Sequence, residues 1–343
     1  MNKKHFIVLF FLVAGIIACN KEIVEQTFIG FQQPANFPTA TYNFANNTIT
    51  KEGFELGRKL FYDPVLSANN TISCGSCHIQ TSAFTQHGHS ISHGINDRLG
   101  TRNSQPIMNL AWSTSFMWDG GVFDLDLQPI VPITNHVEMD DSVQNVLSKL
   151  RANSMYRSMF KSAYGSEEIT TTRFLKALSQ FMVMCVSSNS KYDSVKRGQA
   201  TFTAIESDGY DLFKQKKCVS CHTEPLFTDH SFRNNGLSIS YVDDKGRYNI
   251  TNDNNDKYRF KVPSLRNLSY TGPFMHDGRI LTLDAVLDHY SSQVQATPNI
   301  DPVFTSSATL GIPLSTDEKQ KIIAFLLTLN DKTFITDRRF SEQ

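Results

Sequence analysis

The chain has 343 residues, 40% of them hydrophobic, with 33 basic and 33 acidic side chains and a formal net charge of zero. That length allows two domains, the composition excludes disorder, and the missing basic excess argues against a nucleic-acid partner. Phenylalanine is frequent, at 25 residues, which suits a protein enclosing a large flat ring and equally suits ordinary core filling.

The first five residues are basic through Lys3 and Lys4, and Phe6 to Ala18 is unbroken apolar chain. That stretch is short for a bilayer span and right for a signal-peptide core. Gly15-Ile16-Ile17-Ala18-Cys19 reads as a lipoprotein cleavage site. Residues 1–18 are then a signal peptide, Cys19 is the lipidated first residue, and 19–48 is a linker. Plain secretion with an incidental Cys is the alternative. Either way the protein is expected outside the cytoplasm, on the periplasmic side of a bacterial membrane or in the periplasm, with a lipid anchor as its only membrane contact.

Apolar residues at helical spacing predict helices over Lys51–Phe61, Val143–Ala152, Thr171–Val186, Thr203–Lys214, Leu283–Tyr290 and Thr316–Leu329. Asp140 or Asp141 suits a cap for the second, and Ser315 with Glu318 makes a capping box for the last. Alternating strand patterns are few, and the connections are long and rich in Asn, Gly and Thr. The expectation is a mainly α protein with long irregular loops.

Six cysteines are present. Cys19 belongs to the leader. Cys74-Gly75-Ser76-Cys77-His78 and Cys218-Val219-Ser220-Cys221-His222 are Cys-x-x-Cys-His units. Two thiols at i and i+3 can add to the vinyl groups of one haem, and the next His then ligates its iron. A thioredoxin-like site does not need that His, and a zinc site would want two more ligands nearby. Two covalent c-type haems are therefore expected. Cys185, in an apolar helical run, reads as a buried free thiol.

The two halves repeat one another. Gly57-Arg58-Lys59-Leu60-Phe61 precedes the first unit and Gly209-Tyr210-Asp211-Leu212-Phe213 the second. Downstream, Arg102-Asn103 then Phe116-Met117-Trp118-Asp119-Gly120 is matched by Arg266-Asn267 then Phe274-Met275-His276-Asp277-Gly278. This reads as two cytochrome c-like haem domains related by internal duplication, residues 49–188 and 189–343, joined through 189–200.

These stretches, with Val137-Glu138-Met139 and Lys261-Val262-Pro263-Ser264-Leu265-Arg266-Asn267, resemble the bacterial di-haem cytochrome c peroxidases and the related MauG-like enzymes. The resemblance covers roughly residues 49–331. It implies that the N-terminal, peroxidatic haem reacts with hydrogen peroxide, and that the C-terminal, electron-transfer haem takes electrons from a small redox donor such as a c-type cytochrome or cupredoxin. His78 and His222 would be the proximal iron ligands. His93 matches a distal His that many such peroxidases release before peroxide binds, with His87 and His89 as rivals. Glu138 matches the distal glutamate that moves protons during O–O cleavage, and Gln128 a glutamine that orients peroxide or water. Trp118 matches the tryptophan between the haems. Asn103, Thr271 and Pro273 match an inter-haem calcium site, the last two through main-chain oxygens.

Two positions depart from the peroxidase pattern. Where di-haem peroxidases carry the second haem's distal Met, counting on from His276 reaches Tyr290, and MauG-like proteins have a Tyr ligand there; Met275 and His289 are alternatives. Gly121 stands where the common motif continues Trp-Asp-Gly-Arg. Function is thus expected to be peroxide reduction, with a MauG-like oxidase acting on a protein or small molecule as the alternative and a pure electron carrier as a third reading. A homodimer is compatible with the sequence.

Overall fold

The computed structural model describes residues 28–239, 242–306 and 308–343; the leader and the lipidation position Cys19 lie outside the described residues. Helix α1 (Lys51–Tyr62) begins where the Thr50 hydroxyl accepts the Gly53 N–H at 3.0 Å, satisfying one of the orphan donors of the first turn. Helices α2 (Val143–Ala152), α3 (Ser154–Tyr164) and α4 (Thr171–Met184) follow. Helix α3 went unpredicted from the sequence. The cap of α2 is Ser142, which accepts from Asn145 N at 3.1 Å, not Asp140 or Asp141. Asp140 has a left-handed φ of 51°, and Asp141 is engaged by Lys149 and by the Asn145 amide.

The C-terminal half holds α5 (Ala204–Gln215), α6 (Leu283–Asp288) and α7 (Thr316–Leu327). The Ser315–Glu318 capping box is present, with bonds of 3.2 and 2.8 Å. Helix α6 runs on into a π-helical turn, His289–Gln293, so the predicted helix through Tyr290 changes pitch at its end.

In each half two long helices cross at a glycine. A Cβ on Gly57 of α1 would run into the Ala177 carbonyl of α4, with Phe181 beside it. A Cβ on Gly209 of α5 would run into the Lys321 carbonyl of α7, with Phe325 beside it. No side chain fits between backbones packed this closely. One apolar core gathers Phe54, Leu60, Phe61, Phe84, Phe174 and Phe181, and a second gathers Tyr192, Phe213, Phe227, Leu268, Phe325 and Leu329. Phe37 from the segment before α1, and Phe334 and Phe340 near the C-terminus, pack into the first core.

The single sheet among the described residues is an antiparallel ribbon of β1 (Phe232–Arg233) and β2 (Phe260–Lys261). The joining segment carries its own helix, Lys191–Lys196, started by a Ser190–Asp193 capping box. Asp193 takes a two-pronged ion pair from Arg266, both side chains 0% exposed. Further ties cross the molecule: Asn103 N donates to His276 O at 2.7 Å, Lys261 N to Trp118 O at 2.8 Å, and Arg102 grips both Asp119 and Asp244.

Candidate haem-binding active site

The second Cys-x-x-Cys-His unit sets Cys218, Cys221 and His222 on one cavity, and the first sets Cys77 and His78 on another, with Cys74 one helical turn away. Cys74–Cys77 form one helical turn, entered through a Ser73–Ser76 capping box, and His78 N donates back to Cys74 O at 2.9 Å. Cys218–Ser220 form a 3₁₀ turn, and His222 N donates to Cys218 O at 3.0 Å. The chain then doubles back through left-handed residues, Ala83 and Phe84 in one case and Phe227 in the other. That reversal brings the Phe84 carbonyl to 2.8 Å from His78 Nδ1 and the Phe227 carbonyl to 3.1 Å from His222 Nδ1. A carbonyl only accepts, so each Nδ1 carries the proton and each Nε2 is left as a neutral donor atom for a metal.

Burial lowers the pKa of both imidazoles, which favours the unprotonated ligand form. All four motif cysteines are unpaired thiols, and burial pushes Cys74 and Cys218 up to about 12. Two thiols and an imidazole with its Nε2 free, on the wall of a cavity, are the donor set for thioether attachment and axial ligation of a haem.

The N-terminal cavity is lined by Cys77, His78, Met117, Trp118, Gln128 and Glu138 among others. Its volume is about 930 Å³, against about 210 Å³ for the C-terminal cavity. Burial raises the Glu138 carboxyl above the ordinary range, while the Asn135 amide donates to its Oε1 at 2.6 Å and works the other way. The Gln128 amide faces the Met117 sulfur at 3.8 Å.

His93 is placed beside this cavity but not in its lining. Its Nδ1 is turned onto the Asp97 carboxylate, at an exposed position. Its main-chain oxygen still lies 3.9 Å from the Cys77 sulfur. The next residue, Gly94, lies flat on the Val137–Glu138 backbone, and a Cβ there would strike the Val137 oxygen. Ile95 N donates to Glu138 O at 2.7 Å. Of the rivals, His87 is bonded to Ser82 and His89 stacks edge-on to His93 at 5.0 Å.

The C-terminal cavity is lined by Cys218, Cys221, His222, Met275 and Tyr290. Tyr290 and Met275 therefore both reach the space that His222 faces, and His289 does not line it. His289 is buried with Nε2 3.1 Å from Asn235 O. Tyr290 sits in the π turn, stacked on Phe304 at 5.6 Å, and burial pushes its phenol up to about 12. The Met275 sulfur accepts from the Asn235 amide at 3.4 Å. Met117 and Met275 share a left-handed backbone, in loops closed by the bridges Phe116–Val122 and Phe274–Ile280.

Trp118 lines both cavities. Its indole N–H donates to Asn103 O at 2.8 Å. Asn103, Thr271 and Pro273 all line the C-terminal cavity, and the Asn103 amide donates to Ser90 O at 2.9 Å. Among the lining residues, Arg102, His230 and Lys261 were given no site role from the sequence, although Arg102 and Lys261 lie in the family-like stretches. Their place at the cavities depends on the ribbon and the crossing loops.

The sequence profile described as di-haem cytochrome c peroxidase matches residues 51–201. The chain is 34% identical to the methylamine utilization protein MauG of Methylorubrum extorquens, over 92% of this chain and 89% of that one. The chain belongs to the di-haem cytochrome c peroxidase family. Members of this family are oxidoreductases that use hydrogen peroxide and carry two c-type haems, in agreement with the two attachment units. The cytochrome c551 peroxidase of Nitrosomonas europaea is 33% identical over 80% of this chain and 79% of its own length. In three dimensions the chain is similar to a MauG-like protein associated with microbial copper homeostasis. The TM-score is 0.82 at 31% identity, covering 92% of this chain and 99% of that one.

Proposed function

We propose that this family member reduces hydrogen peroxide at the haem attached to Cys74 and Cys77, H₂O₂ taking up two electrons and two protons to give two waters. The observation that carries this reading is the presence of His78 and the half-buried Glu138 on one roomy cavity. When bound, the haem iron supplies the electrons that split the O–O bond. The protein supplies the proton movements. A carboxyl group in the pocket takes a proton from the near oxygen and returns it to the departing one, and burial, by raising its pKa, favours that return. The Gln128 amide orients peroxide or water by hydrogen bonding. His93, turned onto Asp97, stays out of the cavity lining, which suits access of peroxide.

Electrons enter at the haem held by Cys218, Cys221 and His222, from a small redox donor such as a c-type cytochrome or cupredoxin, and pass by Trp118. An indole between two redox centres divides one long transfer into two shorter ones. The parallel glycine crossings, His–carbonyl bonds and left-handed Met loops support an internal duplication of a one-haem domain, divided near residues 188 and 189. Asn103 with the main-chain oxygens of Thr271 and Pro273 offers hard oxygen donors for Ca²⁺, water completing the shell. Secretion to the periplasmic side with a lipid on Cys19 rests on the leader alone. No helix among the described residues is long and apolar enough to cross a membrane.

Tyr290 favours a second reading, a MauG-like oxidase of a protein or small molecule. A phenolate is a hard anionic ligand that favours oxidised iron, whereas a thioether raises the potential. Steady-state peroxide consumption with a reduced c-type cytochrome separates the two. Turnover supports the peroxidase; no consumption at any reduction level, with both haems loaded, overturns it. Low-temperature EPR of Tyr290→Phe and Met275→Leu reads the second haem's ligand. Tyr290→Phe is expected to change that haem's signal and Met275→Leu to leave it.

A further inference from the structure

Lys261 is a buried cation with no carboxylate beside it. The residue is 8% exposed, and its ammonium donates to Ser115 O at 2.9 Å. Asp119 acts on it only from a distance, and no ion pair to Lys261 occurs among the described residues. The arginines that line the same cavities are matched: Arg102 by Asp119 and Asp244, Arg233 by Asp229 and Asp301. A buried ammonium with N–H groups to spare is costly unless an anion completes it. Burial accordingly pulls its pKa down to about 8.

His230 lies alongside. The ribbon register sets Lys261 opposite Phe232, and Val262 N donates to Ser231 O at 2.9 Å, so the turn holding His230 runs next to the end of β2. The His230 Nε2 is buried with no hydrogen-bond partner. Burial and the Lys261 charge push this imidazole down to about 4. Both side chains line the N-terminal cavity, and Lys261 also lines the C-terminal one.

We propose that Lys261 and His230 form an anion clamp for a carboxylate side chain of the haem attached at Cys74 and Cys77. A c-type haem keeps two propionate carboxylates after its vinyl groups have reacted with thiols. A carboxylate accepts from both an ammonium and an imidazole N–H, and such charge-assisted bonds are the strong ones. It would satisfy the orphaned Nε2 and neutralise the buried ammonium in one step. The haem would then be bonded covalently by the N-terminal half and gripped through its carboxylate by the C-terminal half. The Lys261 charge, lying at the junction of the cavities, would also help to set the first haem's potential. The inference rests on haem attachment at the first motif and not on peroxide turnover.

The test is a spectroelectrochemical titration of the holoprotein with both haems confirmed by a pyridine haemochrome assay. A nearby positive charge disfavours ferric iron, so its loss lowers the midpoint potential. Lys261→Met is expected to shift the N-terminal haem's potential downward, Lys261→Arg to restore it, and His230→Phe to give a smaller downward shift. An unchanged potential in Lys261→Met with both haems present overturns the clamp. Resonance Raman of the unmodified holoprotein gives a measurement that needs no variant. Propionate-bending bands of the N-terminal haem that shift in D₂O support the clamp, and bands that do not shift overturn it. Protein that shows the potential shift but no peroxide turnover would sink the peroxidase reading and leave the clamp standing; protein without haem at Cys74 and Cys77 would sink both.

Discussion

The indole N–H of Trp118 donates to the main-chain oxygen of Asn103 at 2.8 Å, which fixes the ring between the two haem cavities. Phenylalanine would keep most of the packing but lose the hydrogen bond and the easily oxidised ring. In Trp118→Phe, donor-driven peroxide turnover is expected to fall at least tenfold, a barrier increase of about 1.4 kcal/mol, with haem content unchanged. Stopped-flow mixing of half-reduced enzyme with peroxide checks it. An unaltered rate of inter-haem transfer would show that electrons bypass Trp118.

Glu138→Gln keeps the shape and the reach to Asn135 and removes the titrating proton. Turnover is expected to fall by about 10²–10⁴-fold, the range for loss of a general acid–base group. A stability signature accompanies it. Burial raises the carboxyl's pKa in the folded state, so its contribution is fully present below the ordinary glutamate pKa and is lost as pH rises through the folded value. The glutamine variant should therefore gain thermal stability relative to the parent at neutral and alkaline pH and lose that advantage in acid. Melting curves at several pH values read this directly.

Gly94 is where the His93 loop lies flat on the Val137–Glu138 backbone. Any Cβ there must push the two apart. Gly94→Ala is expected to cost about 1–3 kcal/mol of stability, as overpacking does, and to displace Glu138. Peroxide turnover should drop while haem attachment, which depends on a different stretch of chain, persists. Normal kcat in a correctly loaded Gly94→Ala protein would show that the loop contact does not position Glu138.

The attachment units were legible in the sequence because covalent chemistry dictates spacing: two thiols one helical turn apart and an imidazole directly after. The long helices were legible from periodicity, and α7 also from its Ser315–Glu318 box. The cap of α2 was misjudged because three adjacent polar residues compete for one role, and only backbone geometry excludes Asp140. The pairing of Lys261 with His230 was invisible for a different reason. Each is an ordinary residue until the β1–β2 ribbon sets them together, and the orphaned Nε2 of His230 exists only in three dimensions. Counting from His276 singles out Tyr290, and the fold brings both it and Met275 to the His222 cavity.

The segment joining the halves reads in the sequence as a simple linker, yet Asp193 within it takes both prongs of Arg266 at 2.8 Å, and neither side chain is exposed. Arg266 also donates to Pro225 O, close behind the second attachment unit. Removing one partner strands the other charge, which typically costs about 3–5 kcal/mol, so Asp193→Asn should lower the melting temperature markedly. Burial works against the Asp193 charge, but the Arg266 guanidinium overrides it and holds the carboxyl below its ordinary range. A depressed folded pKa gives stability that is present above the unfolded value and is lost as pH falls through the folded one. The parent protein should therefore lose stability at acid pH below the ordinary aspartate range, and Asp193→Asn should show a shallower loss over that window. If denaturant titrations at neutral and acid pH give the same difference between parent and variant, the ion pair is not what sets the acid limit of this fold.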